Sequence, residues 1–206
     1  PYNHSEILAR VKLHLRLSQA MKAVVETQAN HLRKLTLAQQ AILADPLDLP
    51  DAGFFVYYKS VNEAGGDFYD VLPLSKDIYG YFCADVSGHD LGSSLATSSF
   101  KALISQNSGV LYTPKETLST VNRVLRQVLP QNIYLTAVYL LLNRYSKNIK
   151  IVSAGHPPVI YIPVDGIPQT ISLSGDILGI FGNVTLEMLE MKVKKGIKKY
   201  LLKKSL

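Results

Sequence analysis

Cysteine is almost absent from this chain of 206 residues, and the single thiol, Cys83, excludes any internal disulfide. That usage fits a reducing, cytoplasmic setting. Cys83 sits in an apolar, alternating run, which reads as a small buried hydrophobe rather than a reactive thiol. No stretch approaches the roughly 18 to 20 consecutive apolar residues of a membrane-spanning helix. No basic-then-apolar signal segment opens the chain either. Acids are missing from residues 192–206, where Lys192, Lys194, Lys195, Lys198, Lys199, Lys203 and Lys204 supply seven positive charges. Take those seven away and the formal charge of +6 becomes −1. The basic character belongs to the tail, and a near-neutral body argues against a nucleic-acid-binding face across the domain. What is present is an apolar fraction of 47%, enough for a real core, in a length that holds one full domain plus an extension.

The first glycine is Gly53, and residues 1–46 before it read as one long helix. Ile7, Leu8, Val11, Leu15, Leu17, Met21, Val24 and Val25 recur at three- and four-residue steps among charged positions. Ser5 is the expected cap and Pro46 the expected end. A helix of this length with no core of its own points to a partner helix, hence to a homodimeric coiled coil, although the heptad is imperfect around Thr27–His31. His4, His14 and His31 fall on this segment with no ligand partners at metal spacing. The two prolines of Pro46–Asp51 make residues 47–52 a linker.

A compact domain is expected over residues 53–196, followed by a basic tail at 197–206. Phe54–Ser60, Phe68–Leu74, Ile78–Val86, Leu135–Leu142, Ile149–Ala154 and Val159–Pro163 read as strands, with weaker ones around Thr170–Leu173 and Thr185–Val193. Leu91–Gln106 keeps helical spacing. Thr113-Pro-Lys-Glu116 opens a second helix with a capping-box pattern. Strands at both ends with two helices between them predict an α+β fold with mostly antiparallel sheets, not the βαβ alternation of a nucleotide-binding fold.

The chemistry is concentrated in Glu63–Asp90, EAGGDFYDVLPLSKDIYGYFCADVSGHD. Phe68–Leu74 and Ile78–Val86 lie close enough to pair as a hairpin, and antiparallel pairing would bring Asp67 beside Asp85. Two carboxylates next to glycines at a sheet edge are what Mg²⁺ or Mn²⁺ needs, since these ions take oxygen ligands. Gly65, Gly66 and Gly88 either let backbone approach closely or serve only as turn residues. Glu63 and Asp70 read either as groups supporting the ligands or as solvated surface acids. His89 reads as a local hydrogen-bonding residue or a helper with protons or phosphate. His156 reads as the shaper of a tight turn rather than a chemical group.

Three motifs occur in order, EAGGDFYD at Glu63–Asp70, DVSGHD at Asp85–Asp90 and AGHPP at Ala154–Pro158, followed by Ser174-Gly-Asp-Ile-Leu-Gly179. Together they resemble the PPM-type metal-dependent serine/threonine phosphatases of the SpoIIE-like subgroup over roughly residues 50–195. The resemblance implies two antiparallel β-sheets packed as a sandwich flanked by helices, with a two-metal Mn²⁺ or Mg²⁺ site at one end. It implies that Asp85 bridges the metals, that the Val86 carbonyl is a further ligand, and that Asp67 binds directly or through a water. It also implies hydrolysis of phosphoserine or phosphothreonine by an activated water on a regulatory protein of the anti-sigma-factor-antagonist class. PYNHSEILARVKLHLRLSQ at the start resembles the last helix of a response-regulator receiver domain, so the chain reads as part of a longer signalling protein.

Two departures from the family pattern stand out. DVSG is followed by His89 and then Asp90 in place of glycine, which puts another acid beside the expected metals. The closing family strand, whose T-D-G motif carries a metal aspartate, should begin at Val193-Lys-Lys-Gly196, but the chain continues as IKKYLLKKSL. The expectation is a phosphatase domain C-terminally truncated or shifted in frame after Gly196, with an incomplete second metal site. The alternative is a catalytically impaired phosphatase fold that binds a partner without turnover.

Overall fold

The computed structural model describes residues 4–41, 43–57, 66–88, 91–129, 132–163, 166–193 and 198–201. Helix α1 runs over His4–Ala41 without interruption. It begins before Ser5, which lies inside the first turn, and ends before Pro46. Its apolar residues, among them Val11, Leu15, Met21 and Val25, are exposed.

Five strands make the central sheet: β1 (Asp67–Ser75), β2 (Ile78–Val86), β3 (Leu135–Asn143), β4 (Asn148–Ala154) and β7 (Met188–Lys192). Their order is β1-β2-β3-β4-β7, antiparallel throughout. Among the described residues β1 is the sheet's edge, and Pro73 is tolerated there because its missing N–H leaves no ladder bond broken. Strands β5 (Val159–Ile162), β6 (Gln169–Ile171) and β8 (Lys198–Leu201) form a second antiparallel sheet in the order β6-β5-β8. Residues 198–201 belong to the segment expected to be a basic tail. They pair with β5 from Lys198↔Ile162 to Leu201↔Val159. Backbone pairing is indifferent to the missing acidic motif, and Tyr200 is a residue type that favours strands.

Side-chain alternation sorts the central sheet into two faces. Phe68, Phe82, Ala84, Val86, Leu135, Ala137 and Tyr139 face helices α2 (Leu91–Asn107) and α3 (Pro114–Val128) and pack with Phe100, Ile104, Leu118, Val121 and Leu125. Helix α3 starts as its sequence dictates: the Glu116 amide donates to Thr113 Oγ1 at 3.2 Å, and the Thr113 amide donates to the Glu116 carboxylate at 2.7 Å. Val138, Leu140, Ile149 and Ile151 face the other way and pack against Val159, Ile171 and Leu173 of the second layer. The result is a two-sheet sandwich with helices on one side.

One expected strand is not formed where it was placed. Among the described residues, Phe54–Tyr57 pair with no strand; Phe55 and Tyr57 are 88% and 86% exposed, while Phe54 turns inward. The alternation that suggested a strand is real, but among the described residues it has no ladder partner. Residues 58–60 of that prediction lie outside the described residues.

Candidate metal centre

The hairpin pairs in the register expected from its sequence, with Asp67 opposite Asp85. The Val86 amide donates to the Gly66 carbonyl at 3.0 Å. Antiparallel ladders alternate, so a hydrogen-bonded pair at Gly66/Val86 makes Asp67/Asp85 the non-hydrogen-bonded kind, whose Cα atoms stand about 4.5 Å apart with their side chains drawn together. Two like charges this close repel, and a divalent cation relieves that repulsion while accepting both oxygens. Burial pushes the Asp85 carboxyl above its ordinary range.

Gly66 explains why the motif carries glycine at that point. A Cβ built on it would overlap the carbonyl oxygen of Val86. The Val86 oxygen therefore occupies the space that any side chain at position 66 would claim. The fit to a hard cation rests on this donor set, two carboxylates and one backbone carbonyl, all oxygen. Among the described residues no cluster of three or more His, Cys, Asp or Glu side chains comes together. Of the other candidates, Glu63, His89 and Asp90, like Gly65, lie outside the described residues.

Asp70 does not join the pair. Three residues separate it from Asp67, an odd step along a strand, so it lies on the opposite face. There it is 3% exposed and ion-paired to Lys101 of α2, at 3.2 Å. Burial raises its pKa despite the pull of Lys101 in the other direction. The Lys101 ammonium also stands 5.7 Å from the centre of the Phe68 ring. Of the two roles read from sequence, surface acid or ligand support, the first is overturned by burial, and the second finds Asp70 on the helix side of the sheet.

Thr136, which sequence reasoning missed, is the cross-strand neighbour of Asp85 on β3. Its Oγ1 lies 2.9 Å from Nδ1 of His156. His156 is 7% exposed, and burial pushes its imidazole down to about 4, so the ring is neutral at physiological pH. The turn role expected for His156 has support in two bonds of 3.2 Å: Ser153 Oγ accepts from the His156 amide and donates to its carbonyl. Cys83, two residues before Asp85, packs in the inter-sheet core, and burial with the nearby Asp85 charge pushes its thiol up to about 12, as expected of a structural cysteine.

The two-sheet antiparallel sandwich with helices packed on one side is the fold of the PP2C domains. The fold agrees with the SiaA-PP2C domain of Pseudomonas aeruginosa at a TM-score of 0.74 and 21% identity, covering 86% of this chain and 72% of that one. The family model for Stage II sporulation protein E (SpoIIE) matches residues 75–201, and the chain belongs to the SpoIIE family. Relatives include the phosphoserine phosphatases RsbP, 26% identical over 165 residues, and RsbU, 23% identical over 181, both of Bacillus subtilis. The matches cover 77% and 87% of this chain but 41% and 52% of those proteins, so the chain spans about half the length of the curated relatives it matches. Among the described residues, no helix is long and apolar enough to cross a membrane.

Proposed function

We propose that this chain is the phosphatase module of a bacterial partner-switching or two-component signalling protein, removing phosphate from serine or threonine of a regulatory protein of the anti-sigma-factor-antagonist class. The observation that carries the reading is the Asp67–Asp85 pairing, with Gly66 cleared for the Val86 oxygen, in a chain of the SpoIIE family. Asp67, Asp85 and the Val86 carbonyl would hold Mn²⁺ or Mg²⁺, with Glu63, His89 and Asp90 available from the adjoining sequence. A cation bound there supplies Lewis acidity to the phosphoryl oxygens and acidifies a water for in-line attack. The protein's own contribution is to fix two carboxylates on paired strands, which costs no reorganisation when the phosphoryl group arrives.

A division into a helical segment at 1–46, a linker at 47–52 and a phosphatase domain that begins at residue 53 and takes in strand β8 (Lys198–Leu201) fits this reading. The receiver-like opening of α1 and its exposed apolar residues support a signalling helix that pairs with a second copy of the chain. A cytoplasmic setting is supported by the single cysteine. The test is Mn²⁺-dependent hydrolysis of p-nitrophenyl phosphate. Activity abolished by Asp85→Ala supports the reading, and a folded chain inactive at every Mn²⁺ and Mg²⁺ concentration rejects it.

A further inference from the structure

The row that holds the acid pair does not stop at β2. Asp67 stands opposite Asp85, and Asp85 stands opposite Thr136 on β3. Residues directly opposite across a ladder share a face, so the three form one row across β1, β2 and β3. Their neighbours Phe68, Ala84, Val86, Leu135 and Ala137 belong to the core against the helices, which puts the row on the face turned to the second sheet. The row ends in a hydroxyl that the cation does not need. Thr136 is only half-buried, so its hydroxyl is not sealed in the core.

His156 decides what that hydroxyl can do. β4 ends at Ala154, Gly155 turns the chain at φ 62°, and Ser153 Oγ holds both the amide and the carbonyl of His156. Nδ1 of the ring then lies 2.9 Å from Thr136 Oγ1, while Nε2 is buried and, among the described residues, has no partner. Burial keeps the ring neutral, and a neutral imidazole carries one N–H and one bare nitrogen. A hydrogen on Nε2 would bury a donor with no acceptor, whereas a hydrogen on Nδ1 leaves only a lone pair unmet. Orphaned buried N–H groups are the rarer of the two. The Nδ1–H therefore donates to Thr136 Oγ1. Thr136 keeps its own hydrogen, and the bond from His156 orients the oxygen that carries it.

We propose that Thr136 is a substrate-binding residue whose hydroxyl donates to a phosphoryl oxygen of the phosphoserine or phosphothreonine at the acid pair, with His156 as the positioning residue that leaves that hydrogen free. The tautomer of His156 stands on the geometry of its turn; the phosphoryl contact rests on the phosphatase reading. Two carboxylates suit a cation and repel a phosphate. A neutral donor at the end of the same row meets the anion through a charge-assisted hydrogen bond.

The test uses the full chain with Thr136→Val and Thr136→Ser, each checked for folding by circular dichroism. Long-range proton–nitrogen NMR on the metal-free parent chain, labelled with ¹⁵N-histidine, reads the tautomer. Titration calorimetry measures Mg²⁺ first and then inorganic phosphate in saturating Mg²⁺. The parent is expected to carry the His156 hydrogen on Nδ1. Thr136→Val is expected to bind Mg²⁺ as the parent does and phosphate about tenfold more weakly, the scale of one hydrogen bond to a charged group. Thr136→Ser restores the hydroxyl and should bind phosphate nearly as the parent does. A hydrogen on Nε2 overturns the proposal, because the Thr136 hydrogen is then spent on the ring. So does phosphate binding that is equal in the parent and Thr136→Val, or absent from both. A loss of Mg²⁺ affinity in Thr136→Val also overturns it, since the hydroxyl would then serve a ligand carboxylate. Failure of the phosphatase reading shows separately, as a parent chain that does not hydrolyse p-nitrophenyl phosphate, and phosphate binding still decides the role of Thr136.

Discussion

The carbonyl oxygen of Val86 fills the space where a side chain on Gly66 would begin. This contact joins the two motifs of the hairpin: the glycine before Asp67 exists for the sake of the backbone after Asp85. Gly66→Ala should therefore displace the Val86 oxygen or push the strands apart. We expect a loss of about 1 to 3 kcal/mol in stability from overpacking and Mn²⁺ binding weakened more than the melting temperature alone accounts for. Calorimetric titration with Mn²⁺, beside thermal unfolding, checks both.

The Asp70–Lys101 ion pair is asymmetric, because the Asp70 side chain is 4% exposed and that of Lys101 26%. Lys101→Met leaves a buried carboxylate without its cation and should cost on the order of 3 kcal/mol. Asp70→Asn leaves a lysine that can reach water, so its cost should be nearer about 1 kcal/mol. The double variant should be more stable than Lys101→Met alone, since the stranded charge is gone. Urea unfolding of the three proteins gives the comparison.

His156 predicts a pH dependence. Its folded pKa of about 4 lies below the ordinary 6.5, so between those values the unfolded chain binds a proton that the folded chain refuses. The contribution to stability is complete above pH 6.5 and falls away as pH drops towards 4, by up to about 3 kcal/mol, then levels off. His156→Gln should show a shallower loss across that window. Unfolding midpoints of both proteins from pH 7 to 4 measure the difference.

Helix α1 leaves Val11, Met21 and Val25 about half to three-quarters exposed, at 52%, 71% and 63%. If these residues pair with a second copy, replacing Val11 and Val25 by glutamate should convert a dimer to a monomer in sedimentation velocity. The body should keep its melting behaviour, because none of the described side chains of α1 is among the buried core residues.

Much of this was legible in the sequence because it depends on short-range rules. The two-residue periodicity of Phe68–Leu74 and Ile78–Val86 gives the hairpin, and a one-residue register shift between Pro73 and Ser75 places Asp67 against Asp85 instead of Val86. The Thr113–Glu116 capping box starts α3 where its spacing requires. In the sequence Asp70 stands between two roles, although the parity of its distance from Asp67 already puts it on the other face; its partner Lys101 was missed. The rest depends on contacts across long separations. Tyr69 reaches back 25 residues to Ala44 and Tyr81 29 residues to Ala52, and no periodicity encodes either. Thr136 gains significance only from β3 pairing with β2. Phe54–Tyr57 has the pattern of a strand without a neighbour, and residues 198–201 have a neighbour although their lysines read as a tail.

The central claim is that Asp67 and Asp85 jointly hold a divalent cation. Its most direct test is Mn²⁺ titration followed by electron paramagnetic resonance on the parent chain, Asp67→Asn and Asp85→Asn, with circular dichroism to establish that all three are folded. The account predicts Mn²⁺ binding by the parent chain, weakened at least about tenfold by either substitution, the scale of losing one charged ligand interaction. A folded Asp85→Asn protein that binds Mn²⁺ as tightly as the parent would contradict it.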